Sequence, residues 1–276
     1  MNGRDSKEAL WFLFGVLFLS YCVFWGPLAF FGIEAANLVT RKTGPAWALL
    51  LFMFGGFVPS MVGIAMTMLS QGKAGIRTLF RSSIKVKFEL KWYLLGLGVA
   101  AYYALSVILL YGALGGRFDF MRFVYQLPTI IPLFFFGPLS EEFGWRGFVL
   151  PRVLKCCDAT LGSLVIGVVW ALWHLPLFYM PGTSQYEFHI PYPPFMVSVI
   201  SSSFIYTYIY IKTNRSLFSA IFLHWIWTYA MQVASSGVRR TYLFDWLGCI
   251  PPLILAAVFV LLLKKETRAA VPRHGT

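Results

Sequence analysis

The chain has 276 residues, of which 58% are hydrophobic and only 12% charged, against about 25% charged in a soluble globular domain. With 10 Trp, 14 Tyr and 27 Phe and no polar stretch beyond roughly 25 residues, a soluble domain is excluded. A polytopic, all-α membrane protein is predicted. The net charge of +12 comes from Lys and Arg in loops beside apolar runs, a pattern that suits anionic lipid and not nucleic acid.

The first 25 residues resemble a signal peptide at first sight. Their apolar run, at roughly 23 residues, is too long, and no small-residue cleavage site follows it, so it reads as a retained first span. A membrane helix takes about 20 apolar residues, and eight candidate helices follow in order. They are 9–31, 46–69, 93–114, 124–150, 160–180, 195–211, 216–235 and 244–263. The fourth is interrupted by polar residues, and the sixth and seventh are short or mixed. The basic stretch 70–92, with interleaved apolar residues, is expected on the cytoplasmic lipid surface. Of the 23 Lys and Arg, 17 fall on the side of the N-terminus, which predicts that both termini are cytoplasmic. The even span count agrees. No internal repeat divides the chain, so 1–276 reads as a single membrane domain. The proline-bearing segment 181–194 is expected as an external cap. Cys22 and Cys249 lie in apolar runs and are expected in the core. The adjacent Cys156 and Cys157 suit neither a normal disulfide nor a zinc knuckle.

The fourth span carries SEEFGWRGFVLPR, Ser140 to Arg152, directly after an uncharged run. Counted along a regular helix from Val124, Glu141 lies about 17 residues in, or ~25 Å, inside a core ~30 Å thick. Arg152 and Lys155 are then expected at the headgroups. Charges at such depth face a bundle interior or a water-filled cavity and mark functional sites. Gly137 and Pro138 should break the helix. Ser140 reads as the N-cap of a new one, with Glu141 and Glu142 in its first turn. Glu142 and Arg146 are four apart in the favourable order for an ion pair. Glu141 points about 100° away, free for work such as that of a general base. Taken alone, the pattern also allows a mere packing ion pair, with Glu141 reaching to the cytoplasm. Two histidines tip the balance: His174 and His224 each sit within an apolar span, whereas His189 lies in a loop and His274 in the tail.

EEFGWR fits the EExxxR signature, and the chain resembles the CPBP family, the CAAX-protease and bacteriocin-processing membrane proteins that include the Ras-converting enzyme. The family's second motif, an aromatic (usually Phe) four residues before a His, reads WALWH, Trp170 to His174. The third, His followed four later by Asn or Asp, reads HWIWT, His224 to Thr228. Order and spacing match, and the family core spans 135–235. The resemblance implies an intramembrane endopeptidase open to the cytoplasmic side. Glu141, with His174, activates a water. His224 and Thr228 stabilise the oxyanion. Glu142 and Arg146 hold the site together. No cofactor is expected. Thr228 departs from the pattern, because its hydroxyl is a shorter donor than an amide and can bond the i−4 carbonyl of its own helix.

Three other readings stand beside this one. Glu141, His174 and His224 are also a zinc ligand set, although there is no HExxH and the three lie on different spans. A non-catalytic bacteriocin-immunity or scaffold protein fits the threonine at 228. A transporter with a Glu/His proton relay lacks the expected repeats. The expected partners are a membrane-associated peptide substrate and anionic lipid. With no organellar presequence and little beyond its spans, the chain reads as prokaryotic, in the plasma membrane.

Overall fold

The computed structural model describes residues 3–34 and 44–270, with side chains to residue 266. Arg41, Lys42 and His274 lie outside the described residues. Eight helices there are long and apolar enough to cross a membrane. They are α1 (Gly3–Phe30), α2 (Ala46–Ser83), α3 (Leu90–Ala113), α4 (Phe120–Val153), α5 (Ala159–Phe178), α6 (Tyr192–Lys212), α7 (Leu217–Ser236) and α8 (Tyr242–Glu266). Number and order agree with the eight expected spans. The protein is an all-α, integral, multi-pass membrane protein.

Composition decides which helices lie inside. α5, α6 and α7 are the most buried, although α6 and α7 are among the least apolar. In lipid a polar group must find its partner within the protein. From Ser201 to Tyr210 every residue of α6 is buried. Some of its hydroxyls turn back on backbone carbonyls, as Ser198 Oγ does to Pro194 O at 2.9 Å and Ser202 Oγ to Val199 O at 2.8 Å. α5 packs along α6, α6 along α8, α7 along α3, and the second half of α4 along α2. At that last contact small residues let the backbones meet: a Cβ added at Gly63 would sit 2.7 Å from the Gly144 Cα.

Three local expectations are corrected. α2 does not end near residue 69 but turns sharply at Gly72, with φ 63° and ψ −158°, and runs on to Ser83. Much of the basic stretch is therefore helical, with Gly75 and Leu79 buried and Lys73, Arg77 and Arg81 outward. Arg152 does not reach outward. It is 5% exposed, because its Nε donates to Glu8 Oε2 at 2.6 Å and its Nη1 to Phe148 O at 2.8 Å. Lys155 joins this cluster, 3.0 Å from Asp5 Oδ1, so two ion pairs fasten the end of α4 to α1. Cys22 is exposed rather than in the core; an apolar residue on the outer face of a membrane helix loses nothing by meeting lipid.

Segment 181–194 is an ordered cap between α5 and α6. Thr183 caps a helical turn, Ser184–Glu187, by accepting from Tyr186 N. Glu187 Oε1 accepts from Gly182 N at 2.8 Å.

Candidate active site

α4 is not one regular helix. Between Phe120 and Phe134 it runs as short helical pieces, Phe120–Gln126 and Ile130–Phe134, joined by a tighter turn at Leu127–Thr129 that holds Pro128. At Phe136 and Gly137 the backbone leaves the helical region, Gly137 adopting φ 144° and ψ −93°, a conformation that suits glycine. The expected break is thus present, and the 1.5 Å rise of a regular helix does not hold through it. Ser140 does not cap the next turn. Its Oγ accepts from Gly137 N and donates to Gly137 O, both at 3.0 Å, stapling the break itself. Beyond Glu142 the turns widen to the π type through Val149. Such wide turns are frequent at functional sites.

The two adjacent carboxylates divide. Glu142 is fully buried, and its Oε1 accepts from Arg146 Nη1 and from His224 Nδ1, each at 2.8 Å. Arg146, also fully buried, lies between two aromatic faces. Its guanidinium carbon is 4.5 Å from the centre of the Trp170 ring and 4.3 Å from that of Tyr206. Those faces offset the lack of partners for its Nε and Nη2 among the described residues. Glu141, 6% exposed, is held differently: its Oε2 accepts from Trp170 Nε1 at 2.7 Å.

Both span histidines flank Trp170. The His174 ring lies 6.1 Å from it and the His224 ring 5.4 Å, centre to centre. The bond each makes through Nδ1 decides what its Nε2 can do. His174 Nδ1–H donates to the Trp170 carbonyl at 2.8 Å, so Nε2 of the neutral ring is an acceptor. His224 gives Nδ1–H to the Glu142 carboxylate, and its Nε2 faces Gly137, where an added Cβ would lie 3.8 Å away. A neutral His224 so oriented cannot donate from Nε2, and an imidazolium can. Thr228 lies on α7 one turn beyond His224 and is half-buried. Its hydroxyl makes no hydrogen bond among the described residues, not even to the i−4 carbonyl.

Glu141, Glu142, Arg146, His174 and His224 are thus gathered around one indole. Two members of this cluster carried no assigned role in the sequence. Trp170 was legible as an aromatic motif position, and its N–H marks a difference from Phe. Tyr206, in the run IYTYIY, gave no signal. Its hydroxyl is buried without a partner among the described residues. Among the described residues no three His, Cys, Asp or Glu side chains converge as a metal-ligand group. Between α4 and α5, burial and then the charge of Asp158 push the Cys157 thiol up, so it is a poor nucleophile.

Residues 123–230 match the family described as Type II CAAX prenyl endopeptidase, Rce1-like. Over 90 residues the chain is 31% identical to CAAX prenyl protease 2 of Methanococcus maripaludis, covering 31% of this chain and 33% of that protein. It therefore matches about a third of the length of that curated relative. Both glutamates, the arginine, both span histidines and Thr228 fall within 123–230, the segment that is similar to the Rce1-like family.

Proposed function

We propose that the protein is an intramembrane endopeptidase that hydrolyses a peptide bond of a membrane-associated substrate with a glutamate-activated water. The observation that carries this reading is the split between the two carboxylates. Glu142 pairs through Oε1 with Arg146 and His224, and its Oε2 is sealed away without a partner among the described residues, whereas Glu141 accepts only the Trp170 N–H and stays 6% exposed, against 0% for Glu142. Glu141 takes a proton from water, and the resulting hydroxide adds to the peptide carbonyl carbon. His174 Nε2 accepts the water's other hydrogen and so orients it. His224, as the imidazolium with Glu142 as counter-charge, donates Nε2–H to the oxyanion. The Thr228 hydroxyl, free of its own helix, is the second donor. As the C–N bond breaks, Glu141 returns its proton to the leaving nitrogen.

Water and substrate enter from the cytoplasmic side, both termini lie on that side, and the host membrane is a prokaryotic plasma membrane. The exposed Lys73, Arg77 and Arg81, opposite the buried Gly75 and Leu79, fit a helix lying on anionic lipid. A prenylated CAAX-type peptide is the first substrate to try, because the relative is a CAAX prenyl protease.

The test is cleavage of a quenched fluorescent peptide by purified protein in detergent, with the peptide farnesylated on a cysteine four residues from its C-terminus or left unprenylated. Glu141→Gln should lower kcat by about 10²–10⁴-fold, with chelator leaving the wild type unchanged. Activity lost to chelator and restored by zinc would move the chemistry to a metal held by Glu141, His174 and His224. Cleavage by Glu141→Gln at the wild-type rate would remove the base from the reading. A protein that binds these peptides and cleaves none would be a scaffold.

A further inference from the structure

We infer that Trp170 is a positioning residue for Glu141: its indole N–H holds one carboxylate oxygen so that the other is presented to the reacting water. This rests on the glutamate-base reading above. The last torsion of a glutamate is broad, so a catalytic carboxylate needs an outside group to set its plane. Trp170 supplies one. Its Nε1–H donates to Glu141 Oε2 at 2.7 Å, with Trp170 4% and Glu141 6% exposed. The donor cannot swing away. The same ring is packed against Tyr206 at 5.6 Å and His224 at 5.4 Å, and the Arg146 guanidinium lies 4.5 Å over its face. Glu141 Oε1 has no donor among the described residues. A Phe, the usual residue at this place in the second family motif, would fill the same space and pack on the same arginine, but has no N–H to give. The tryptophan therefore adds a bond to the base that the aromatic ring alone does not explain.

Full-length protein with Trp170→Phe, and with Trp170 replaced by benzothienylalanine (sulfur in place of N–H, otherwise the same shape), separates the bond from the packing. Removing a hydrogen bond to a charged group should lower kcat about tenfold or more, with KM within about twofold. In the benzothienyl protein the thermal unfolding temperature should stay at the wild-type value. Wild-type kcat in the benzothienyl protein would overturn the proposal, as would a loss of kcat that only tracks a loss of folded protein. A second readout does not depend on cleavage. The carboxylate stretch of Glu141, assigned by infrared difference against Glu141→Gln, should shift when the N–H is removed, and an unmoved band also overturns the proposal. If Glu141→Gln cleaves like the wild type while the band still shifts, the bond exists and the base reading is the part that fails.

Discussion

The two halves of α4 have nearly opposite surroundings. From Phe120 to Phe136 no residue is buried, and Ile131 is 68% exposed. From Pro138 to Val153 all are buried except Leu139, Gly147 and Pro151, and this half holds Glu141, Glu142, Arg146 and Arg152. The apolar half is outside and the charged half inside, the reverse of a water-soluble helix. In a bilayer, lipid tails solvate Phe and Ile as well as a protein core does, while a charge is tolerated only where other protein groups meet it. The outer half is fastened mainly to one neighbour. Trp225 Nε1, Tyr229 Oη and Gln232 Nε2, all on α7, bond Ile130 O, Leu127 O and Gln126 Oε1 at 2.6, 3.0 and 3.1 Å. The inner half is fixed by ion pairs, ring faces and a close backbone contact with α2.

Substitutions should divide along the same line. Arg146→Met leaves the Glu142 carboxylate buried without its cation, and removing one partner of a buried pair costs about 3–5 kcal/mol. Thermal unfolding in detergent should show this as a large drop, and an unchanged midpoint would mean that the pair is not buried as described. At the boundary, Gly137→Ala puts a side chain on a backbone at φ 144°, which costs about 1–3 kcal/mol. The new Cβ meets His224 Nε2 only at ordinary contact distance, so the loss should come from the backbone. It should appear both in the midpoint and in cleavage rate. Ile131→Ala, in the outer half, should stay within about 0.5 kcal/mol and leave cleavage untouched. A large effect there would show that this half packs against more than lipid and α7.

The inner half also explains why the sequence was readable in part. Glu142 and Arg146 are four apart, and that spacing alone foretells their pair, because both sit on one turn of one helix. The break at Gly137 and Pro138 is legible for the same local reason. What Ser140 would do was not: the serine-before-acid pattern predicts a cap, yet the hydroxyl turns to the strained glycine, a choice made by a backbone the pattern does not describe. Arg152 reads as a headgroup residue until α1 brings Glu8 alongside. His224 reads as an oxyanion donor, and only the packing of α7 sets its Nδ1 on Glu142.

Composition and periodicity by themselves thus determined that this chain is an eight-span, all-α membrane protein, since a run of about 20 apolar residues has few other stable homes. The spacing of charges within one helix named Glu141, Glu142 and Arg146 as a unit, because neighbours three or four apart share a face. Only the tertiary structure decided which carboxylate is tied to the arginine and the histidine and which to the indole N–H. It laid the Tyr206 ring of α6 over Arg146 of α4, and it set the N–H of the motif aromatic Trp170 on Glu141. Those outcomes depend on helices far apart in the chain meeting at hydrogen-bond distance, and no local pattern encodes that distance.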